Sequence, residues 1–114
     1  MFTELMASGS GGGSIWTDIK TSSATGTLEY KSLGNGIFAI HADLGNGAGS
    51  AGTYKEIGQL PSGAYDTTRN IYIYGMNGGL RFAGFKIDTS GKLLFYVQSG
   101  DSNTQCLCDT IYAL

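Results

Sequence analysis

The amino-acid sequence predicts an all-β domain, an antiparallel β-sandwich of jelly-roll-like type with about eight short strands. Short apolar stretches alternate with polar residues at a period of two and are separated by turn residues, a pattern typical of half-buried strands. No long window shows a helical period. Glycine is frequent, with 19 residues, and charged residues make up only 14%, which indicates a folded chain and not a disordered one.

The strand pattern occupies residues 15–114, which we predict to form a single domain. Strands are predicted near 15–20, 27–33, 36–44, 53–59, 70–77, 80–88, 92–99 and 106–113. So many short strands suggest two packed antiparallel sheets or a jelly roll. Residues 1–14 differ because they end in a pure Gly/Ser run, so we expect a flexible N-terminal linker there. It is either an engineered fusion remnant, which the purity of the run favours, or a neck between a shaft and a head.

Turn residues between the strands define two hairpins. Asn35-Gly36 lies between two apolar alternations, and this dipeptide suits the positive φ angles of a two-residue type I′ turn. Asp88-Thr89-Ser90-Gly91 has the same role further along, with Gly91 as the left-handed residue. Leu60-Pro61-Ser62-Gly63, which contains the only proline, is predicted to be a turn as well.

The period of two also assigns the side chains to faces. In the third strand Phe38 and Ile40 share the core face with Ala42 and Leu44, whereas His41 and Asp43 lie on the opposite face. The later strands carry bulky side chains on both faces, as in Tyr72 and Tyr74 opposite their isoleucine neighbours. We therefore predict a second buried surface there, most simply a subunit interface.

Charge and hydropathy exclude two classes of partner. The net charge is −2, the sequence pI is about 5.1, and no cluster of Lys and Arg occurs, so we expect no nucleic-acid binding. No apolar run is long enough to span a membrane, and the N-terminus lacks the basic and apolar segments of a signal peptide, so no membrane partner is expected.

Cys106 and Cys108 are the only two cysteines, and they lie two positions apart on the predicted last strand. Side chains at i and i+2 of a strand point the same way and lie too far apart for an unstrained disulfide. We predict two reduced, half-buried thiols. A metal site needs about four ligands, so this pair alone predicts none, and no cofactor is expected.

The candidate chemistry points to binding and not to catalysis. His41, the only histidine, has no serine in a strained elbow to activate, and the glycine-rich residues 45–52 lack the Lys-Ser/Thr ending of a phosphate-binding loop. His41 and Asp43 project together from the core and can grip hydroxyl groups, while aromatic rings suit the C–H face of a sugar. The other interpretation of this pair is a solvated sheet face.

Several segments of the chain resemble the receptor-binding head domains of bacteriophage tail tips and baseplates from phages of Gram-positive bacteria. They are Trp16-Thr17-Asp18, the stretch from Leu28 to Gly36, and Ile57 to Gly63, followed by the sequel from Asn70 through Gly91. The resemblance implies a virion protein with a trimeric β-sandwich head, which contacts other tail or baseplate proteins and binds host cell-wall polysaccharide without cleaving it. It also implies a pocket near a subunit boundary that contains His41, Asp43, Tyr54 and Arg69.

Two other functions fit the same sequence. The domain can be a purely structural baseplate or fibre module, which only holds other proteins of the virion. It can also be a hydrolase of host-wall glycans, because a pair of carboxylates among the scattered Asp and Glu residues satisfies the minimum requirement of that chemistry. Receptor binding without catalysis is the function that the sequence favours.

Overall fold

The structure is a computed structural model that describes residues 15–114, and the predicted N-terminal linker lies outside the described residues. All eight predicted strands are present, so the all-β prediction is confirmed. No helix of the length and hydrophobicity needed to cross a membrane occurs in the described part of the chain. The strands are Thr17–Asp18 (β1), Gly26–Gly34 (β2), Ile37–Leu44 (β3), Tyr54–Gln59 (β4), Ile71–Asn77 (β5), Phe82–Ile87 (β6), Lys92–Tyr96 (β7) and Cys106–Ala113 (β8).

The strands form one antiparallel sheet in the order β1-β2-β3-β8-β5-β6-β7-β4. The ladder between β8 and β5 has only two residue pairs, Met76 with Leu107 and Asn77 with Cys106, and there the sheet turns from one half to the other. At the opposite end a bridge between Lys20 and Gly58 joins the two edges of the sheet. The sheet is thus curled into a half-barrel, a sandwich-like arrangement in which both halves face one core.

The core consists of the inward side chains that the period of two predicts. Phe38, Ile40, Ala42 and Leu44 are all buried, as predicted for the third strand. Phe85 on β6 stacks on Phe95 of β7 with ring centroids 4.9 Å apart. Burying a side chain of this size contributes about 1.5–3 kcal/mol, so these paired rings are a main source of stability.

Both predicted hairpin turns have the expected backbone. Asn35 and Gly36 have φ angles of 55° and 74°, as a type I′ turn requires. In the second turn the Asp88 carboxylate accepts hydrogen bonds from the backbone N–H of Ser90 and of Lys92, and Gly91 has a φ of 81°. These turns set the register of β2 with β3 and of β6 with β7.

The glycine-rich loop between β3 and β4 packs closely on the core. Ala48 within it is fully buried. A side chain at Gly49 would lie within 2.9 Å of the Phe95 ring and 2.7 Å of Val97. Small residues are therefore needed here because the loop backbone lies directly against the core.

The two cysteines are free and fully buried, deeper than the half-buried position predicted for them. They lie on the inward face of β8, opposite Leu44 and Ala42 of β3. Burial raises the pKa of the Cys108 thiol to about 12 and that of Cys106 further still, so both remain protonated at neutral pH.

The bulky side chains predicted on the outward face of the later strands are exposed in the single chain. Tyr72, Tyr74 and Phe82 retain 58%, 69% and 81% of their accessible surface. They stand on the adjacent strands β5 and β6, where Met76 pairs with Phe82 and Tyr74 with Gly84. This half of the sheet therefore presents an aromatic outer face to solvent.

Candidate functional site

His41 and Asp43 lie on the outward face of β3, as the sequence predicts. Asp43 is exposed, and the His41 side chain retains 35% of its accessible surface. Their inward neighbours Ile40 and Ala42 are buried, so the alternation along β3 alone places the two polar residues outside.

Asp109 on β8 is the partner of His41. The two residues are directly opposite in the β3–β8 ladder, and His41 Nδ1 lies 2.6 Å from Asp109 Oδ1. Because an ionised carboxylate only accepts hydrogen bonds, the ring nitrogen donates and a neutral imidazole then presents Nε2 as an acceptor. The second Asp109 oxygen has no partner among the described residues, and the side chain is 81% exposed. The pair therefore offers acceptors for the hydroxyl groups of a ligand.

Trp16 bounds this pair on one side. Its ring meets the His41 ring edge to face at 6.3 Å, and its other contact is Lys31 Nζ, 5.1 Å from the ring centroid. A groove of about 230 Å³ runs between Trp16 and Asp109, with Ala39 in its floor. One aromatic wall thus stands next to the hydrogen-bonding pair.

Tyr74 and Phe82 bound the pair on the opposite side. Their rings meet edge to face at 6.3 Å. They line a second groove, of about 360 Å³, whose lining also includes Asp109. Because β8 lies between β3 and β5, Asp109 belongs to both grooves, which meet at this residue. We call Trp16, His41, Tyr74, Phe82 and Asp109 together the dyad surface.

Tyr54 lies in a neighbouring cluster of tyrosines. Its ring is 5.1 Å from that of Tyr96, and Lys86 Nζ sits 4.5 Å above it. Burial, together with the nearby Tyr72, Tyr74 and Tyr96, raises the pKa of Tyr54. A further groove of about 380 Å³, with Gly84 in its lining, adjoins Tyr74 on this side. Tyr74 is therefore shared between the tyrosine cluster and the dyad surface.

Arg69 lies in the loop before β5, where its Nε is 3.1 Å from Asp66 Oδ2. Within residues 15–114 no hydrogen bond, ion pair or ring contact joins any two of His41, Asp43, Tyr54 and Arg69. The chain brings His41 and Asp43 to one face and holds Tyr54 and Arg69 elsewhere. The grouping of all four in one pocket stays a prediction.

The residues of the dyad surface that the sequence did not assign to a binding site are Trp16, Tyr74, Phe82 and Asp109. Asp109 is 68 positions from His41, and only the β3–β8 register brings them together. The outward position of Phe82 follows from the alternation of β6, a signal that is readable in the sequence. The position of Trp16 depends on how β1 lies along β2 and has no local signal.

The grooves carry no metal-binding arrangement. No group of three or more His, Cys, Asp or Glu side chains with suitable geometry occurs in the part of the chain that the structure describes. The chemistry available at the dyad surface is therefore that of hydrogen bonding and of aromatic packing.

Comparisons of the chain with protein-family models, with curated proteins and with solved structures give no match. The resemblance to phage receptor-binding heads therefore stays a prediction. A function for the domain has to be argued from the geometry of the dyad surface.

Proposed function

We propose that this domain is a non-enzymatic receptor-binding head of a bacteriophage tail tip or baseplate, which binds a saccharide of the host cell wall. One observation carries the proposal: the exposed His41–Asp109 pair lies between two aromatic walls, Trp16 on one side and Tyr74 with Phe82 on the other. The phage assignment adds the sequence resemblance to this geometry.

Sugar rings have two kinds of surface, and the dyad surface offers a partner for each. The C–H face of a pyranose packs on an aromatic ring, while its hydroxyl groups need acceptors and donors in fixed positions. Tyr74 and Phe82 supply exposed ring faces and edges. The second oxygen of Asp109 accepts a hydrogen bond from a sugar hydroxyl, and the His41 ring offers its other nitrogen beside it.

Binding without hydrolysis fits the same groove. Glycosidases place two carboxyl groups on either side of the scissile bond. Within the described residues, Asp109 is the one carboxylate in the lining of the two grooves that meet there. One exposed carboxylate in the groove lining suits recognition better than cleavage, which needs two flanking the bond.

Assembly as a homotrimer is part of the proposal. The grooves are open, and a single open site binds a sugar weakly, whereas three linked sites bind a repeating polysaccharide through avidity. The exposed outer face around Tyr72, beside the grooves, is apolar enough to be covered by another subunit or by a neighbouring tail or baseplate protein.

The test is binding of wall polysaccharide to purified protein. Saturation-transfer NMR with saccharide from a susceptible host is expected to show contact with the aromatic rings, and Asp109→Ala is expected to weaken binding about tenfold. Glu56→Ala, an exposed carboxylate on β4 away from both grooves, is the matched control and is expected to bind like the wild type. Absence of binding at millimolar saccharide would overturn the proposal.

A structural virion module is the second candidate, and the exposed aromatic face favours it. Tyr72, Tyr74 and Phe82 would then be covered by another protein in the particle. This function predicts that His41→Ala and Asp109→Ala phages assemble and adsorb normally, whereas Phe82→Asp particles fail to assemble. Adsorption counts on host cells separate the two functions.

A further inference from the structure

We propose that the dyad surface selects uncharged saccharides and rejects those that carry carboxylate or phosphate groups. This inference rests on the proposed function and names the class of saccharide that the site takes. It follows from the signs of the charges that surround the two grooves.

The carboxylates of this half of the sheet gather on its outer face. Asp18 lies directly opposite Glu29 across β1 and β2, Glu29 lies opposite His41 across β2 and β3, and His41 lies opposite Asp109 across β3 and β8. Asp43 projects from the same face of β3. A ligand over Asp109 therefore lies against a row of negative charges.

The cations of the chain do not offset this row. Lys31 lies next to the Trp16 ring, with Nζ 5.1 Å from the ring centroid, and its side chain is 95% buried, so it offers no exposed donor to a ligand. Five of the other six have partners of their own: Lys20 with the carbonyls of Ala24 and Gly26, Lys55 with that of Gly47, Arg69 with Asp66, Lys86 with the Tyr54 ring and Lys92 with Glu56. Arg81, in the loop before β6, helps to lower the pKa of Asp101.

Recognition of an anionic sugar needs a fixed donor or cation at the anion. Carboxylates and phosphates are bound by Arg forks, by Lys or by clustered backbone N–H groups. The dyad surface presents the exposed carboxylate of Asp109 in that position. A neutral hydroxyl donates to Asp109, whereas an anion next to it is repelled.

The experiment compares sugars that differ only in charge. Methyl glucoside and methyl galactoside are titrated against the matching methyl uronates, and N-acetylglucosamine against its phosphate ester, at millimolar concentration and at pH 8. The chemical shift of the Trp16 indole N–H reports binding. We expect the neutral member of each pair to bind about tenfold more tightly, the effect of one like-charge contact at a protein surface.

Two further measurements trace the preference to the carboxylates. Asp109→Asn keeps an acceptor but removes the charge, and it is expected to reduce the tenfold ratio to about threefold or less. Glu56→Gln is the matched control and is expected to keep the wild-type ratio. Raising the salt concentration in the wild type is expected to strengthen binding of the uronates alone, because salt screens repulsion. The salt measurement requires no variant.

The results separate the inference from the proposed function. Uronates or phosphates that bind as tightly as their neutral partners overturn the inference and leave saccharide binding intact. A ratio that is insensitive both to salt and to Asp109→Asn also overturns it. If no member of any pair binds, and wall polysaccharide does not bind either, the proposed function itself is wrong.

Discussion

Two hairpins of this domain contain the same dipeptide, Asn-Gly, and use it in different ways. Asn35-Gly36 is the entire loop between β2 and β3, and both residues have positive φ angles. Asn77-Gly78 begins the longer loop between β5 and β6, in which Leu80 has the positive φ, 60°. The first turn is specified by the conformational preferences of its two residues. The turn between β5 and β6 is held by hydrogen bonds of the Asn77 side chain.

Asn77 organises the second hairpin with its side chain. It is fully buried, and its Oδ1 accepts hydrogen bonds from the backbone N–H of Gly79 (2.9 Å) and of Arg81 (3.3 Å). Its Nδ2 donates to Asp101, which lies in the loop before β8. The loop is thus tied to a residue 24 positions away. This tie positions the start of β6, where Phe82 forms a wall of the dyad surface.

The same Asn-Gly dipeptide thus has two structural outcomes, and burial of the asparagine side chain decides between them. A hairpin set by its own residues needs no neighbours and carries no part of the site. In the β5–β6 hairpin, the buried Asn77 side chain links the loop before β8 to the start of β6, so the position of Phe82 depends on both loops. The two hairpins are therefore expected to respond differently to the same substitution.

The largest expected difference is in stability. Asn77→Ala removes the acceptor for two backbone N–H groups and the donor to Asp101, and the loss of these three hydrogen bonds is expected to cost about 2–4 kcal/mol. Asn35→Ala is expected to cost only about 1 kcal/mol, the strain of a left-handed alanine. Urea unfolding measures both. Equal losses would show that the second loop is also specified locally.

The next difference is in ligand binding. Phe82→Ala removes an exposed ring from the dyad surface and is expected to weaken saccharide binding about fivefold, with little change in stability. Ile37→Ala is the matched control, because Ile37 is also an outward apolar residue just after a hairpin turn. It lines neither groove that meets at Asp109. Equal losses in the two variants would remove Phe82 from the site.

A smaller difference concerns backbone strain. Leu80 is 73% exposed and gains little from packing, so Leu80→Gly relieves its left-handed strain and is expected to stabilise the protein by about 0.5 kcal/mol after the entropy of glycine is subtracted. Asn35→Gly is expected to change stability by less, because asparagine tolerates this conformation. Thermal melting of both variants measures the contrast. Destabilisation by Leu80→Gly would mean that the leucine side chain has a structural role.

The fold was predictable to a large extent because its signals are local. The alternation Phe38, Ile40, Ala42 fixed the core face of β3, and Asn35-Gly36 fixed the first register. The loop between β5 and β6 is longer than predicted, because β6 starts at Phe82 and not near residue 80. Asn77 is buried, and its side-chain hydrogen bonds override its preference for a tight turn.

The candidate site was predictable only in part because it depends on strand order. His41 and Asp43 were placed correctly on an outward face by the period of β3 alone. The pairing of His41 with Asp109 required knowing that β8 inserts between β3 and β5, which no local pattern encodes. The grouping of Tyr54 and Arg69 with His41 and Asp43 in one pocket depends on the same long-range information and stays a prediction.

The smallest expected difference between the hairpins appears at acid pH. Hydrogen bonds from the Asn103 backbone N–H and from the Asn77 amide lower the pKa of Asp101, and nearby Arg81 adds to this effect. Because the pKa is lowered on folding, the stabilisation is fully present above the ordinary Asp pKa of about 3.9 and is lost as the pH falls through the folded value. Acidification below about pH 4 should therefore loosen the β5–β6 hairpin, which depends on Asp101, before the β2–β3 hairpin, which has no such carboxylate in its turn.

Amide NMR of Gly79 and Gly36 during an acid titration measures the two loops in one sample. In Asp101→Asn the titration of Gly79 is expected to disappear while that of Gly36 stays unchanged. Simultaneous shifts of both amides in the wild type would mean that acid acts on the whole domain and not through the Asn77–Asp101 tie.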